Sequence, residues 1–392
     1  MEIKKVLLVK YGEISLRKGN RQYFENVLLE IIRSRLIGLG GKIKVRKEQG
    51  RFLIEDLEAD LNTEEVLPRI QKIFGIIGFC HAIKTTSRDT NSLCKTAVQF
   101  IKTIPNLKSF KVKTKRSDKS FPHKSMDISA QIGEAILNET QSITVDIHKP
   151  EVTLYVEIRN DVYFYVDSVN GEGGLPYGSS GKGILLMSGG FDSPVAGYLT
   201  ARRGVEIVPV YFHSPPFVSE RAEEKVIDLS KRLADFTGKI KLYIIPFTDT
   251  QVFLKNNVSD VKLTIFLKRA MLHIANKIAE EEKALCLITG DSIGQVASQT
   301  ISSLSAMEST TDLPIIRPLA TMDKQAIIEK SVEIGTHDIS IRPYDDCCTV
   351  FVAKHPENKP NKNAIQKIES RFIGELLRLA DEAIANAKIL KL

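Results

Sequence analysis

A group of small polar residues interrupts an apolar stretch at residues 184–197, which read ILLMSGGFDSPVAG. The apolar residues predict a buried strand, and the proline suits the first turn of a following helix. Between them, Ser188, Gly189 and Gly190 can aim successive backbone N–H groups at one anion, because glycine allows close approach and tolerates positive φ. Asp192 can hold Mg²⁺ or orient phosphates. No Gly-Lys-Ser/Thr follows the glycines, so this phosphate-binding loop differs from the common P-loop.

Two adjacent cysteines, Cys347 and Cys348, offer sulfur chemistry in a polar stretch that begins with two aspartates. A thiolate can carry a sulfane sulfur as a persulfide, and a second thiol can release it by forming a disulfide. The aspartates would raise a thiol's pKa, so a basic group, Lys354 or His355, is expected to offset them. The five cysteines form no spacing suited to zinc. The residues alone leave a purely structural role for the pair open.

Positive charge is concentrated in the N-terminal part of the chain. Residues 1–120 hold 25 Lys/Arg against 13 Asp/Glu, whereas residues 181–392 hold 27 against 26. The stretch 108–119 alternates apolar and basic residues, which predicts a strand with a lysine row outward. Such a row suits a nucleic-acid phosphate backbone, and an edge strand guarded by lysines is the alternative. The row consists of Lys111, Lys113 and Lys115 with Arg116, and Arg17, Lys18 and Arg21 are expected to add to it.

The elements that position these groups fall into two patterns. Residues 3–84 read as strand, helix, two strands, helix and strand, the order of a ferredoxin-like unit. A second mixed unit follows to residue 167, and then a glycine-rich stretch at 170–183. From residue 184 onward, apolar strands alternate with helices, which predicts a doubly wound parallel sheet. Ligands bind beyond the carboxyl ends of such strands, where both the phosphate loop and TGDSIGQ (289–295) lie.

The chain of 392 residues is long enough for two or three domains. Its first residues contain too short an apolar run for a signal peptide, and no segment is apolar enough for a membrane span. A cytoplasmic location is therefore expected.

Several long motifs resemble those of one family. The hexapeptide SGGFDS is similar to the signature of PP-loop ATP pyrophosphatases, which adenylate a substrate oxygen. With it, KYGEISLRKGNR (10–21), TGDSIGQVASQT (289–300), IIRPLATMDKQAII (315–328) and YDDCCTVF (344–351) follow the order of the tRNA 4-thiouridine synthetases, the ThiI-type sulfurtransferases. The resemblance implies an N-terminal ferredoxin-like domain (1–75), a THUMP RNA-binding domain (76–168), a linker (169–183) and a PP-loop domain (184–392).

The resemblance also implies roles for single residues. Adenylation would depend on Asp192 and Lys324, whose ammonium can neutralise charge on the reacting phosphate. Without the resemblance, the sequence would indicate only that Lys324 is a solvent-exposed lysine in the first turn of a helix. ATP and Mg²⁺ are the implied cofactors. The implied ATP-binding residues are Leu186, Met187, Ser188, Gly189, Gly190, Asp192, Ser193, Tyr211, Phe212, Lys268, Gly290 and Gln299, with Arg269 as a neighbour. Without the resemblance, several of the apolar residues would be interpreted simply as part of the hydrophobic core.

The implied reaction replaces O4 of a tRNA uridine, the one at position eight, with persulfide sulfur carried on Cys347 or Cys348, and the alignment allows either cysteine. Longer members carry a rhodanese-like domain for which the sequence leaves no room. Sulfur is then expected from a separate cysteine desulfurase, and sulfur supply to thiamine biosynthesis, which is tied to that domain, is not implied. The family also suggests a homodimer.

Two other functions remain open at this point. Another PP-loop enzyme, such as a tRNA 2-thiouridine synthetase or an amidating ligase, would share residues 188–193 without needing the basic N-terminal half. A non-catalytic RNA-binding protein with a degenerate nucleotide fold is the second alternative, and the presence of Asp192 and Lys324 argues against it.

Overall fold

The computed structural model describes residues 3–118, 120–140, 142–166, 169–344 and 357–392. The chain divides into two compact units, residues 1–175 and residues 176–392. Within the described residues, no helix combines the length and the apolar character needed to cross a bilayer.

The first unit is built on one mixed sheet with four helices. Its strand order is β2-β3-β1-β4-β8-β7-β5-β6, and β9 pairs with β4. The elements are β1 (Ile3–Tyr11), α1 (Arg21–Leu36), β2 (Ile43–Glu48), β3 (Arg51–Asp56), α2 (Thr63–Ile70), β4 (Ile76–Thr85), α3 (Thr90–Lys102), β5 (Ser109–Arg116), α4 (Ser125–Glu139), β6 (Thr144–Val145), β7 (Val152–Ile158), β8 (Val162–Tyr165) and β9 (Val169–Asn170), with a 3₁₀ turn at Glu13–Leu16.

The order β1-α1-β2-β3-α2-β4 confirms the predicted ferredoxin-like arrangement. Helix α1 forms because apolar residues recur every fourth position and bury one face, as Phe24, Leu28, Ile32 and Leu36 do. Strand β4 pairs with β1 along one side and with β8 on the other, so a single sheet continues into the second half of the unit.

The two faces of this sheet differ. Helices α1 and α2 pack against one stretch of it and α3 and α4 against the next, each pair with its own apolar core. Alternate strand residues point to the opposite face, where a small cluster includes Val6, Leu8 and Tyr165, with Tyr155 packed against it. The first residues of the glycine-rich stretch also bind to this unit, since Gly171 and Gly173 donate to the carbonyls of Ile77 and Ile76.

The second unit is a parallel sheet between helices. Its strand order is β14-β13-β10-β11-β12-β15, in which β15 alone is antiparallel among the described strands. The elements are β10 (Lys182–Met187), α5 (Asp192–Ala201), β11 (Glu206–His213), α6 (Glu220–Thr237), β12 (Lys241–Pro246), α7 (Thr248–Asn257), α8 (Asp260–Glu282), β13 (Cys286–Ile288), α9 (Ile301–Glu308), β14 (Ile315–Ile316), α10 (Lys324–Glu333), α11 (His337–Ser340), α12 (Lys362–Glu369), α13 (Ile373–Ala385) and β15 (Lys388–Lys391), with a 3₁₀ turn at Ala297–Gln299.

The periodicity of residues 364–390, AIQKIESRFIGELLRLADEAIANAKIL, predicts a single amphipathic helix, and the structure differs from this prediction. The C-terminal stretch forms two helices, α12 and α13, and the edge strand β15. The break falls at Phe372, whose ring packs between Phe253 and Phe266 with ring centroids 5.8 Å from each. The Phe372 ring is partly buried and packs against the main apolar core of this unit. The apolar residues of β15 continue the sheet alongside β12.

Candidate active site

A pocket of about 260 Å³ opens at the carboxyl ends of β10, β11 and β13. This is the edge at which ligands bind in open parallel sheets. Most of the residues implied for ATP binding lie here. The lining residues are Leu186, Met187, Ser188, Asp192, Ser193, Tyr211, Phe212, Lys268, Met271, Leu272, Thr289, Gly290, Asp291, Gln299, Met307, Ile315 and Arg317.

The phosphate loop joins β10 to α5 and is closed by its own serines. The backbone N–H of Ser188 donates to Oγ of Ser193 over 2.9 Å, and the Ser193 hydroxyl donates to the Ser188 carbonyl over 3.1 Å. Neither Gly189 nor Gly190 has a positive φ. A Cβ at Gly190 would meet only the Ser188 hydroxyl, at 3.7 Å. These glycines therefore provide open backbone at a helix N-terminus, and not the left-handed conformation that glycine permits.

Gly290 has a different and stricter role. A Cβ built at this position would lie 2.8 Å from the backbone carbon of Asp192 and 2.8 Å from the backbone nitrogen of Ser193. Any side chain would therefore push the loop after β13 away from the start of α5. Gly290 lets the two loops that form the pocket floor touch.

Asp192 and Lys324 meet at the pocket although 132 residues separate them. The Lys324 ammonium donates to both Asp192 carboxylate oxygens, at 2.9 Å and 3.2 Å, and lies 5.4 Å from the centre of the Phe191 ring. The amide of Gln295 also donates to Asp192, over 3.2 Å. Each charged residue begins a helix, Asp192 in α5 and Lys324 in α10. The fold thus brings together the two residues implied for adenylation.

Asp291 is a buried carboxylate that organises the opposite wall. It accepts from the Lys268 ammonium at 3.1 Å, the Thr289 hydroxyl at 2.8 Å and the Gln299 amide at 3.3 Å, and Arg317 lies 3.7 Å away. Burial opposes ionisation, but the nearby Lys268 charge and the Thr289 hydrogen bond outweigh it, so the pKa of Asp291 is lowered. This carboxylate therefore stays charged and holds the cations at the pocket wall.

Sequence reasoning missed both Asp291 and Arg317, although each lies inside a motif that it singled out. Asp291 follows Gly290 in TGDS, and Arg317 directly follows the short strand β14 in IIRPLA. The available signal was a charged residue directly after an apolar strand, at the edge where ligands bind.

Arg269 does not line the pocket. It is 1% exposed, and its guanidinium binds Glu369, the Ala306 carbonyl and the Ser309 hydroxyl. Successive helix residues point about 100° apart, so Lys268 faces the pocket while Arg269 faces α12. The structure therefore places Arg269 in a buried ion pair that joins α8 to α12.

Arg269→Met should lower the free energy of unfolding by about 3–5 kcal/mol, because it removes the guanidinium that binds both oxygens of the buried Glu369 carboxylate and leaves only His273, at 3.4 Å. Burial opposes ionisation of Glu369, but hydrogen bonds from Arg269 and His273 outweigh it and lower its pKa to about 2. The ion pair therefore stabilises the fold above about pH 4.5 and loses its effect as the pH falls towards 2. Urea unfolding at several pH values measures both effects, and a variant as stable as wild type at pH 7 would contradict this role.

The lysine row lies where the alternation predicts. On β5, Phe110 is buried, whereas Lys113 and Lys115 are exposed. The Lys113 ammonium lies 6.0 Å from the centre of the Tyr155 ring, on the face of the sheet opposite to the helices. Strand β6 pairs only with the first two residues of β5. The alternative interpretation of the lysine row, an edge strand guarded by lysines, therefore also fits the position of β5 in the sheet. Lys111 donates to the Ile147 carbonyl and Arg116 to the Phe121 carbonyl, each at 2.9 Å.

Of the three basic residues near α1, Arg21 is already paired. Its guanidinium donates to Glu25 at 2.7 Å and to the Tyr11 hydroxyl at 2.9 Å. Burial opposes ionisation of Glu25, yet hydrogen bonds from Lys47, Tyr11 and Arg21 lower its pKa. Arg17 lies 4.3 Å from the centre of the Phe24 ring, and Lys18 is exposed. The positive surface here therefore rests on Arg17 and Lys18 more than on Arg21.

The predicted sulfur carriers Cys347 and Cys348 lie outside the described residues, together with the aspartates before them and with Lys354 and His355. The cysteines that are described suit that role poorly. Burial raises the pKa of Cys94 and of Cys286, which reduces the thiolate fraction that sulfur chemistry needs.

The pocket offers apolar strand ends to a base and a helix N-terminus to phosphates, which together suit an adenine nucleotide. The C-terminal unit is therefore a nucleotide-binding domain of the PP-loop class. Three family models together match most of the chain. "Thiamine biosynthesis protein (ThiI)" matches residues 178–373, "ThiI ferredoxin-like domain" matches residues 6–80 and "THUMP domain" matches residues 87–167. The chain belongs to the ThiI family of tRNA sulfurtransferases.

Known proteins similar over nearly the whole chain agree with this assignment. A probable tRNA sulfurtransferase of Agathobacter rectalis is 44% identical, with 96% of each chain covered. Another from Acetivibrio thermocellus is 45% identical, with 99% of each covered. A crystal structure of a 4-thiouridine synthetase–RNA complex with bound ATP is 38% identical, with a TM-score of 0.90 and coverage of 99% of this chain and 100% of that one.

Proposed function

We propose that this chain is an ATP-dependent tRNA sulfurtransferase that converts a uridine of tRNA, the one at position eight, to 4-thiouridine. The observation that carries the proposal is the pocket lined by the phosphate-loop residues Ser188 and Asp192, with Lys324 in contact with the Asp192 carboxylate. The similarity to an RNA- and ATP-bound 4-thiouridine synthetase along the whole chain supports the choice of substrates.

Adenylation supplies the leaving group that the base lacks. C4 of uridine is a poor electrophile because its carbonyl is amide-like. In the proposed first step, O4 attacks the α-phosphorus of ATP, the bond to the β-phosphate oxygen breaks, pyrophosphate leaves and the N3 proton is lost. The ammonium of Lys324 and the backbone N–H groups at the start of α5 then face the charge that develops on the phosphate.

Sulfur replaces the adenylate in the second step. A persulfide on Cys347 or Cys348 attacks C4 through its outer sulfur, and AMP leaves with the former O4. The other thiolate then attacks the inner sulfur. That step breaks the S–S bond, releases 4-thiouridine and leaves a Cys347–Cys348 disulfide, which an external dithiol must reduce before the next cycle.

The remaining components follow from the same scheme. Mg²⁺ fits a site with one carboxylate, Asp192, completed by the phosphates of ATP, which is a usual way of holding this ion. When bound, it would neutralise phosphate charge. We assign sulfur delivery to a cysteine desulfurase and the assembly to a homodimer. The domain divisions proposed are 1–75, 76–168, 169–183 and 184–392, for the ferredoxin-like, THUMP, linker and PP-loop parts.

The test uses unmodified tRNA, Mg-ATP, a dithiol and a cysteine desulfurase with cysteine. We expect the protein to produce the near-ultraviolet absorbance of 4-thiouridine together with pyrophosphate, and neither product when ATP is left out. Nucleoside analysis of the tRNA distinguishes 4-thiouridine from 2-thiouridine. Thiolation without ATP, or sulfur at C2, would refute the proposal.

For RNA binding, we assign the phosphate contacts to Lys111, Lys113, Lys115 and Arg116. Arg17 and Lys18, which precede α1 in the sequence, are assigned further contacts. The double variant Lys113→Ala/Lys115→Ala should weaken tRNA binding and reduce the salt dependence of the dissociation constant by roughly one to two phosphate contacts. Lys102→Ala, on a helix of the other sheet face, is the matched control. An unchanged salt slope in the double variant would remove these lysines from the RNA interface.

A further inference from the structure

The segment that leads to the two cysteines is attached to the phosphate loop. This segment, residues 337–344, comprises helix α11 and the four residues after it. The Ser340 hydroxyl donates to the Gly190 carbonyl over 3.2 Å. At the start of the segment, the His337 ring lies 5.6 Å from that of Phe191, the residue that also contacts Lys324. The chain therefore approaches the cysteines from a fixed position beside the adenylation residues.

Helix α6 holds the other end of the same segment. Lys225 is 4% exposed, and its ammonium donates to the Arg342 carbonyl at 2.8 Å and to the Tyr344 carbonyl at 3.5 Å. One turn further along α6, Asp228 accepts from the Arg342 guanidinium at 2.7 Å. Arg221, one turn earlier, lies 5.9 Å from the centre of the Tyr344 ring. Three side chains of one helix face thus bind the last described residues before the cysteines.

Burying a lysine ammonium costs free energy unless its charge is compensated, so the buried position of Lys225 calls for an explanation. An apolar side chain at this position would make neither hydrogen bond to the Arg342 and Tyr344 carbonyls, and the Arg342 carbonyl would keep the bond that it accepts from the Tyr344 N–H over 2.8 Å. What the ammonium adds is a fixed main-chain position. Cys347 and Cys348 follow Tyr344 by three and four residues. Because three residues of chain span at most about 11 Å and four at most about 14 Å, an anchor at Tyr344 limits the volume that either thiol can reach.

We propose that Lys225 is a positioning residue for sulfur transfer, which anchors the chain ahead of the cysteines so that the persulfide meets the adenylated base. The inference rests on the proposed function. Lys225 does not line the nucleotide pocket and acts through the backbone of Arg342 and Tyr344. It should therefore affect the second chemical step without affecting the first.

The test is Lys225→Met, which keeps the length of the side chain and removes its donors. Three quantities are measured on the full chain: pyrophosphate release with unmodified tRNA, ³⁵S transferred to the protein by a cysteine desulfurase, and 4-thiouridine formed in a single turnover. We expect the first two to stay within about twofold of wild type, and the third to fall about tenfold or more, because small misplacements of a reacting group cost this much.

Two further variants keep the result interpretable. Lys277→Met removes an ion-paired lysine from α8, away from the segment, and should leave all three quantities unchanged. Asp228→Asn removes the negative charge from the partly exposed contacts to Arg342 at 2.7 Å and to Lys231 at 3.6 Å. Because such pairs contribute little to stability, it should fold normally and show the same selective loss to a smaller degree. If Lys225→Met does not fold, Asp228→Asn decides the question alone.

Specific outcomes overturn the proposal. Normal 4-thiouridine formation in a folded Lys225→Met, or in Asp228→Asn when that variant decides, would show that the anchor is not needed. An equal fall in pyrophosphate release would place the effect on adenylation or on the fold. Failure of the proposed function itself looks different, since wild-type protein would then form no 4-thiouridine.

Discussion

Lys324→Ala should reduce both pyrophosphate release and 4-thiouridine formation by about 10²–10³-fold, the usual cost of losing one preorganised group that stabilises transition-state charge. The ammonium is the cation that the structure places on Asp192 at the pocket, and no other residue of α10 makes that contact within the described part of the chain. Asp192→Ala should act in the same direction, because it removes the carboxylate from the phosphate loop.

Both variants should remain folded, because the Asp192–Lys324 pair is partly exposed and such pairs contribute little to stability. Binding of tRNA, measured by filter retention, should stay within about twofold of wild type, since affinity for RNA rests mainly on phosphate contacts made elsewhere. Lys330→Ala on the same helix, where the lysine pairs with Glu333, is the matched control. Normal pyrophosphate release by Lys324→Ala would remove this residue from the adenylation step.

Replacing the persulfide carrier by serine should abolish 4-thiouridine formation, while pyrophosphate is still released, up to one for each tRNA, because nothing displaces the adenylate. Cys347→Ser and Cys348→Ser therefore need separate measurement. In the carrier variant, no product should form. In the variant of the other cysteine, assayed in a single turnover without the dithiol, sulfur should reach the base but stay linked to the protein, because no second cysteine thiolate is left to attack the inner sulfur.

The readouts are ³⁵S retained on the protein, ³⁵S linked to tRNA, and free 4-thiouridine. Cys94→Ser is the matched control, because burial raises the pKa of that thiol and it lies in the first unit. Full activity in both single variants and in the double variant would dispose of the cysteine carrier.

Strong local patterns made much of the fold predictable. The spacing of Phe24, Leu28 and Ile32 predicts helix α1, and the apolar run before Ser188 predicts the strand that aims the phosphate loop. The C-terminal stretch shows the limit of such patterns. Its helical period continues through Phe372, but the structure interrupts the helix there, where that ring packs against two others. Tertiary contacts of this kind leave no periodic trace in the sequence.

The site residues that belong to a recognised motif could be predicted from the sequence. Those whose role depends on the direction in which a side chain points were harder to predict. The resemblance singled out Asp192 and Lys324, which the structure brings into contact. It could not tell which of the adjacent residues Lys268 and Arg269 faces the pocket, because that depends on how α8 is rotated against its neighbours. The role of Asp291 depends on partners from three separate segments, none of which a local motif reveals.

The central claim is that ATP activates the oxygen of the base, and the fate of that oxygen tests it most directly. Unmodified tRNA made with ¹⁸O at O4 of its uridines is thiolated by the protein, and the AMP released is analysed by mass spectrometry. An adenylated uridine transfers its O4 to AMP, so the account predicts one ¹⁸O in each AMP formed. Unlabelled AMP accompanying 4-thiouridine formation would contradict it.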